Sequence, residues 1–140
     1  MELFVQFKYE TDLRDMGVCI YPRIENVEAD WVYQICGKAL SKNLEKLSKI
    51  VRKQGLKDLM DYYVPTQNDL DDWKVEEKVA AAWFEPAEGV ALVDAMMLAL
   101  KEHQDQFENL DRLETDLVAF RAILGRAASE GLRWNLGVSY

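Results

Sequence analysis

The sequence predicts an α+β fold, predominantly α, with about four helices packed on one face of a small sheet formed by the N- and C-terminal strands. Three observations lead there. Leu132, Trp134, Leu136, Val138 and Tyr140 alternate with Arg133, Asn135, Gly137 and Ser139, and near the start Leu3, Val5, Phe7 and Tyr9 form one face of a second alternating run. Period-two alternation with β-branched and aromatic residues marks half-buried strands. Between these ends the apolar residues recur at helical spacing. At 140 residues and 49% apolar content, residues 1–140 read as a single globular domain, since domains cluster at roughly 100–150 residues.

Taken in order, the first strand covers about Glu2 to Glu10. A short strand around Val18–Tyr21 is then ended by Pro22. A first helix starts after Asn26, which can cap it, and runs to about Leu40 with Trp31, Val32, Ile35, Cys36 and Ala39 inward. A second, from about Ser41 to Gln54, buries Leu40, Leu44, Leu47 and Val51. The apolar stripe shifts by roughly a quarter turn between the two, which predicts a break near Ser41. Gly55 stops the second helix, and Leu56, Leu59, Met60 and Tyr63 add a short helical turn.

Tyr63 to Val75 is the predicted loop, with Pro65 and the acids Asp69, Asp71 and Asp72. In the third helix Pro86 occupies the first position, with Glu88 in the first turn, where carboxylates suit the positive end of the helix dipole. Only Glu88 and Asp94 are charged between Pro86 and Leu100, which predicts a central helix that is apolar nearly all round. The fourth helix runs from about Asp111 to Glu130 along a seam of Leu113, Leu117, Phe120, Leu124 and Ala127. Gly131 suits a left-handed cap, with Leu132 closing back on the last turn.

The run Trp83, Phe84, Glu85, Pro86, Ala87, Glu88, Gly89, followed by a C-terminal helix, glycine and alternating strand, resembles small uncharacterised bacterial proteins. The resemblance covers roughly the last sixty residues and implies no activity. Physically, the motif is a helix start with two aromatics wedged beneath it.

Charge is the informative feature of the chain. Seven of the seventeen basic residues lie between positions 38 and 57, against the single acid Glu45, a local charge of +6 in a protein whose formal net charge is −8. Lys38, Lys42, Lys46, Lys49, Arg52 and Lys53 fall within an arc of about 120° on a helix, opposite Leu40, Leu44, Leu47 and Val51. A lysine-rich wet face balanced by nearby acids such as Asp69, Asp71, Asp72, Glu76 and Glu77 is the structural reading. The functional reading is docking to an acidic partner surface, an anionic lipid surface or nucleic acid. Lysines supply point charges without the bidentate forks of arginine, and no aromatic interleaves with them for base stacking, which argues against nucleic acid.

No residue pattern marks a catalytic, cofactor-binding or metal-ligating site. His103 lacks the usual companions of a metal ligand or general base. Asp69, Asp71 and Asp72 lack the glycine and terminal glutamate of a calcium loop. Asp94 reads as an edge carboxylate or the partner of an arginine such as Arg121 or Arg126. Cys19 and Cys36 sit in unrelated contexts and read as free thiols. No apolar run reaches the roughly 18 residues that suggest a membrane span, and the N-terminus carries no export signal pattern, so the expected location is cytoplasmic.

The sequence therefore reads as an adaptor- or inhibitor-like protein-binding domain, with Lys38, Lys42, Lys46, Lys49, Arg52 and Lys53 meeting an acidic protein surface. A homodimer paired through the terminal sheet near Phe4 is the second reading. A small enzyme or ligand binder, with a pocket lined by Trp31, Trp73, Trp83 or Trp134 and Asp94, is the third.

Overall fold

The computed structural model describes residues 18–26, 35, 37–65, 74 and 82–139. The expected strand at Glu2–Glu10, most of the first expected helix and most of the predicted loop, its acids included, lie outside these residues. The described elements run β1 (Cys19–Ile24), α1 (Lys38–Lys53), a 3-10 turn (Leu59–Tyr62), α2 (Pro86–Glu102), a second 3-10 turn (Gln104–Gln106), α3 (Leu110–Ser129) and β2 (Trp134–Ser139). The fold is α+β and mostly helical. It has three α-helices among the described residues, where about four were expected.

β2 pairs antiparallel with β1, in the register Ile20↔Val138, Pro22↔Leu136, Ile24↔Trp134. The strand that the sequence ends at Pro22 thus continues through it. Glu25 N–H donates to the Arg133 carbonyl at 2.9 Å, which makes the odd residues of β1 the hydrogen-bonded partners. The missing N–H of Pro22 faces away from β2 and costs this ladder nothing. On its other edge β2 exchanges two hydrogen bonds between Trp134 and Phe84, 2.8 and 3.0 Å, and forms a parallel bridge to Tyr63.

The sheet face expected to be wet is covered. Asn135 is only 3% exposed. Its amide donates to the Ala82 carbonyl at 3.0 Å and its oxygen accepts from Arg23 Nε at 3.0 Å, while the Tyr21 ring and the Arg23 stem lie over Gly137. The alternation of β2 therefore encodes one apolar buried face and a second face that is covered at Asn135 and Gly137 and exposed at its end, Ser139.

α1 begins at Lys38, not Ser41, because Gly37 before it has φ +67° and cannot extend a right-handed helix. Leu40, Leu44, Leu47 and Val51 are all fully buried along it. α1 and α3 both end in the paired hydrogen bonds of a Schellman cap: Leu56 N–H to the Val51 carbonyl and Gly55 N–H to Arg52, then Leu132 N–H to Ala127 and Gly131 N–H to Ala128. The second cap drops β2 directly after α3, as the sequence predicts.

α2 is not buried all round. Leu92, Val93, Met96, Ala99 and Leu100 face inward, whereas Ala87, Ala91, Asp94 and Leu98 are exposed. α3 places Leu113, Leu117, Phe120, Leu124 and Ala127 in the core as expected.

Trp134 is the hub. It is fully buried, stacks on Tyr62 at 4.8 Å, meets Phe120 edge-on at 6.0 Å and donates from Nε1 to the Glu85 carbonyl at 3.1 Å. Phe84 packs edge-on against Tyr62 at 5.0 Å. Cys19 is disulfide-bonded, where a free thiol was expected. Its sequence context carries none of the spacing motifs by which a disulfide is read from a single chain.

Candidate functional site

The basic residues of α1 do form one solvent-facing edge, since the opposite side of the helix is committed to the core. Lys38, Lys46, Lys49, Arg52 and Lys53 are exposed and Lys42 is half-buried. Their surroundings differ along the helix. At the C-terminal end the Schellman turn reverses the chain and brings Asp58 and Asp61 back onto Arg52. Arg52 Nε donates to Asp58 Oδ2 at 2.6 Å, and its Nη2 reaches both oxygens of Asp61 at 3.2 and 3.1 Å.

This cluster has its own electrostatics. Burial, and then the Asp61 charge, push the Asp58 carboxyl above its ordinary range, with Arg52 opposing them. The hydrogen bond to Asp58 in turn holds the Arg52 guanidinium above its usual value. Asp58 is 2% exposed; besides Arg52 on Oδ2, the Met60 N–H favours its charged form, and Oδ1 has no hydrogen bond of good geometry. Such a group is costly to keep ionised. Arg52 is therefore a structural residue that closes off one end of the ridge.

In the middle, Lys46 Nζ donates to the Gln106 carbonyl at 2.7 Å, and Lys49 stands 3.8 Å from Glu45 across one turn. Both stay largely in water, where such contacts are weak. Lys53 has no ion pair with a described residue. Asp69, Asp71, Asp72, Glu76 and Glu77, the acids the sequence offered as internal balance, lie outside the described residues.

At the N-terminal end α1 is fastened to the segment leading into α3 by two polar clamps. The Asn43 amide, only 1% exposed, donates to the Ala39 and Glu108 carbonyls at 2.8 and 2.9 Å, and Asn43 Oδ1 accepts from Glu108 N–H at 2.9 Å. Asp116 Oδ2, from α3, accepts from Leu40 N–H at 3.1 Å and so caps the first turn of α1. Beside this joint lies an open dent of about 240 Å³ lined by Gly37, Lys38, Ala39, Lys42, Asn109, Arg112 and Asp116. Arg112 thus joins the basic edge from a second helix. Sequence reasoning missed it because it lies far beyond the end of the second expected helix, at Arg112 against Gln54. The signal that could have found it is Asn43, a polar residue set among the buried leucines of α1.

The other residues weighed from sequence do not come together. Asp94 is exposed and pairs with Arg121, Nε to Oδ1 2.6 Å, as its edge reading predicts. Trp134 is in the core, on the side of α2 away from Asp94. Trp83 is half-buried, and Trp31 and Trp73 lie outside the described residues. His103 ends α2 with Nδ1 3.5 Å from Gln106 Nε2. Among the described residues no group of three or more His, Cys, Asp or Glu side chains is gathered as for a metal ion, and no helix is long and apolar enough to cross a membrane.

No known protein family, curated protein or solved structure matches the chain.

Proposed function

We propose that the protein is an interaction domain of adaptor or inhibitor type that docks on an acidic protein surface through the basic edge of α1. One observation carries this reading. Lys38 and Lys53 are exposed and Lys42 is half-buried, none of the three forms an ion pair with a described residue, and the other face of their helix is fixed in the core. A rigid row of point charges on an otherwise acidic protein supplies orientation and fast, salt-dependent encounter more than raw affinity. Affinity capture with the native protein and with Lys42→Glu/Lys49→Glu/Lys53→Glu tests it. The variant loses the partners that the native protein releases at moderate salt, and identical partner sets from the two proteins refute the reading.

Self-association is the second reading, and one observation favours it on a face other than the expected sheet. Leu98 and Val118, 52% and 50% exposed, stand on the paired helices α2 and α3, both about one turn from the Asp94–Arg121 ion pair on the side of the turn that joins the helices. Sedimentation at several concentrations tests this, with a concentration-independent monomer as the refuting result. The cytoplasmic location expected from the sequence requires the Cys19 disulfide to persist against a reducing glutathione pool. Thiol labelling of the protein in intact cells decides between that location and an oxidising compartment.

A further inference from the structure

The dent between the start of α1 and the first turns of α3 is where basic groups from two elements converge. Lys38 and Lys42 come from α1 and Arg112 from α3. None of the three forms an ion pair or a side-chain hydrogen bond with a described residue, whereas Arg52 and Lys46, further along the same edge, are already engaged. The open N–H of the α1 helix end is not what makes the site, because Asp116 already accepts from Leu40 N–H. That bond, with the buried Asn43 clamp, holds the two cation-bearing elements in register before any ligand arrives.

Charge and size narrow the chemistry. The lining carries three cations and one anion, Asp116. Against that net +2, three minus one, a single carboxylate would leave half of the charge unmatched, whereas a phosphomonoester carries about −1.5 to −2 at neutral pH and presents three acceptor oxygens. Arginine with lysines on one phosphate is a recurring recognition pattern. At about 240 Å³ and open to solvent, the dent is smaller than the roughly 300–1,000 Å³ of sites that enclose a whole small molecule. It admits one group while the rest of its carrier lies outside, along the edge marked by Lys46, Lys49 and Lys53.

We propose that Lys38, Lys42 and Arg112 form an anchoring site for a phosphorylated side chain of the partner protein. The inference rests on the docking role of the α1 edge and gives that surface a fixed point. N-acetyl-phosphoserine amide is the probe, with N-acetyl-glutamate amide and inorganic phosphate beside it, each titrated into ¹⁵N-labelled protein. The phosphoserine derivative gives saturable shifts confined to the amides of residues 37–42 and 109–116. It binds at least fivefold more tightly than the glutamate derivative, and several-fold more weakly at pH 5, where the phosphate is a monoanion. Lys38→Gln/Arg112→Gln weakens it at least tenfold, and Lys53→Gln leaves it unchanged.

Three results overturn the proposal: equal binding of phosphoserine and glutamate derivatives, binding that survives Lys38→Gln/Arg112→Gln, or inorganic phosphate binding more tightly than the phosphoserine derivative. The docking reading fails separately. If phosphoserine does not bind but charge reversal at Lys42, Lys49 and Lys53 still abolishes capture, the anchor falls and the edge stands. If phosphoserine binds but the same charge reversal leaves capture unchanged, the docking reading falls and the phosphate site stands without it.

Discussion

Two glycines in the helices make opposite predictions from the same substitution. Gly89 lies on the buried side of α2. A methyl there would sit 2.7 Å from both Leu124 Cδ1 and Trp134 Cζ2, and 2.8 Å from Trp134 Cε2. The indole cannot swing away, because Tyr62 stacks on it, Phe120 abuts it and Nε1 is bonded to Glu85. Alanine gains about 1 kcal/mol of helix propensity. Overpacking a close-packed core costs about 1–3 kcal/mol, and a clash with a locked ring belongs at the upper end. Gly89→Ala therefore loses about 1–2 kcal/mol. With an unfolding entropy of roughly 2.1 cal/mol/K per residue, 1 kcal/mol corresponds to about 3–4 °C for a chain of this length, so the melting midpoint falls by about 4–7 °C.

Gly125, in α3, has nothing within 4 Å of the same added methyl. Gly125→Ala keeps the propensity gain and raises the midpoint by about 3 °C. Thermal and urea unfolding followed by circular dichroism measure both. A Gly89→Ala protein that is more stable than the parent refutes the close approach of α2 to Trp134, whatever the second variant does.

Further outcomes follow from the electrostatics. Arg52→Met leaves the buried Asp58 carboxylate unpaired and costs about 1–3 kcal/mol at pH 7. Because the folded-state pKa of Asp58 is raised, the folded protein favours the protonated acid. Its contribution to stability is largest below the ordinary carboxylate range and is lost as pH rises through the raised value. The Arg52→Met deficit therefore shrinks in urea titrations as pH falls towards 4, and a pH-independent deficit contradicts the assignment. Burial, with Glu88 and Asp61 nearby, pushes the Tyr62 phenol up to about 12. One of the six tyrosines should then ionise only near pH 12 in an absorbance titration, and its contribution to stability, full below about pH 10, is lost as pH approaches 12. Asp116→Ala removes the cap on α1 and lowers stability by about 1 kcal/mol, with amide exchange fastest at Leu40. Alkylation of the unfolded, unreduced protein leaves Cys19 unlabelled, and reduction exposes it.

How much of this is legible in the sequence depends on the range of the interaction. The buried faces of α1 and α3, the Pro86 helix start and the Gly131 exit all follow from the residue pattern, because each is decided within one or two turns of chain. The expected break near Ser41 fails because the true boundary is set by the positive φ of Gly37 and not by a quarter-turn shift of the apolar stripe. The short strand expected at Val18–Tyr21 runs further than its proline suggests, since a ladder accepts proline where no N–H is needed. The ridge is visible as a helical stripe. Its division into an end closed by Asp58 and Asp61 and an end joined by Arg112 is not, since both depend on chain reversals that spacing does not encode.

β2 has a consequence for the order in which this molecule can be made. Every other described element precedes Trp134–Ser139 in the chain. Yet this strand supplies the ring between α2 and α3, the partner of β1 and the bridges that seat Phe84 and Tyr63. Until it leaves the ribosome, a nascent chain holds three helices around a vacant centre, with Tyr62 and Phe120 lacking the ring they pack against. Completion of the fold thus waits for the synthesis of β2, and a chain stopped before Trp134 stays in the aggregation-prone class of incompletely packed intermediates.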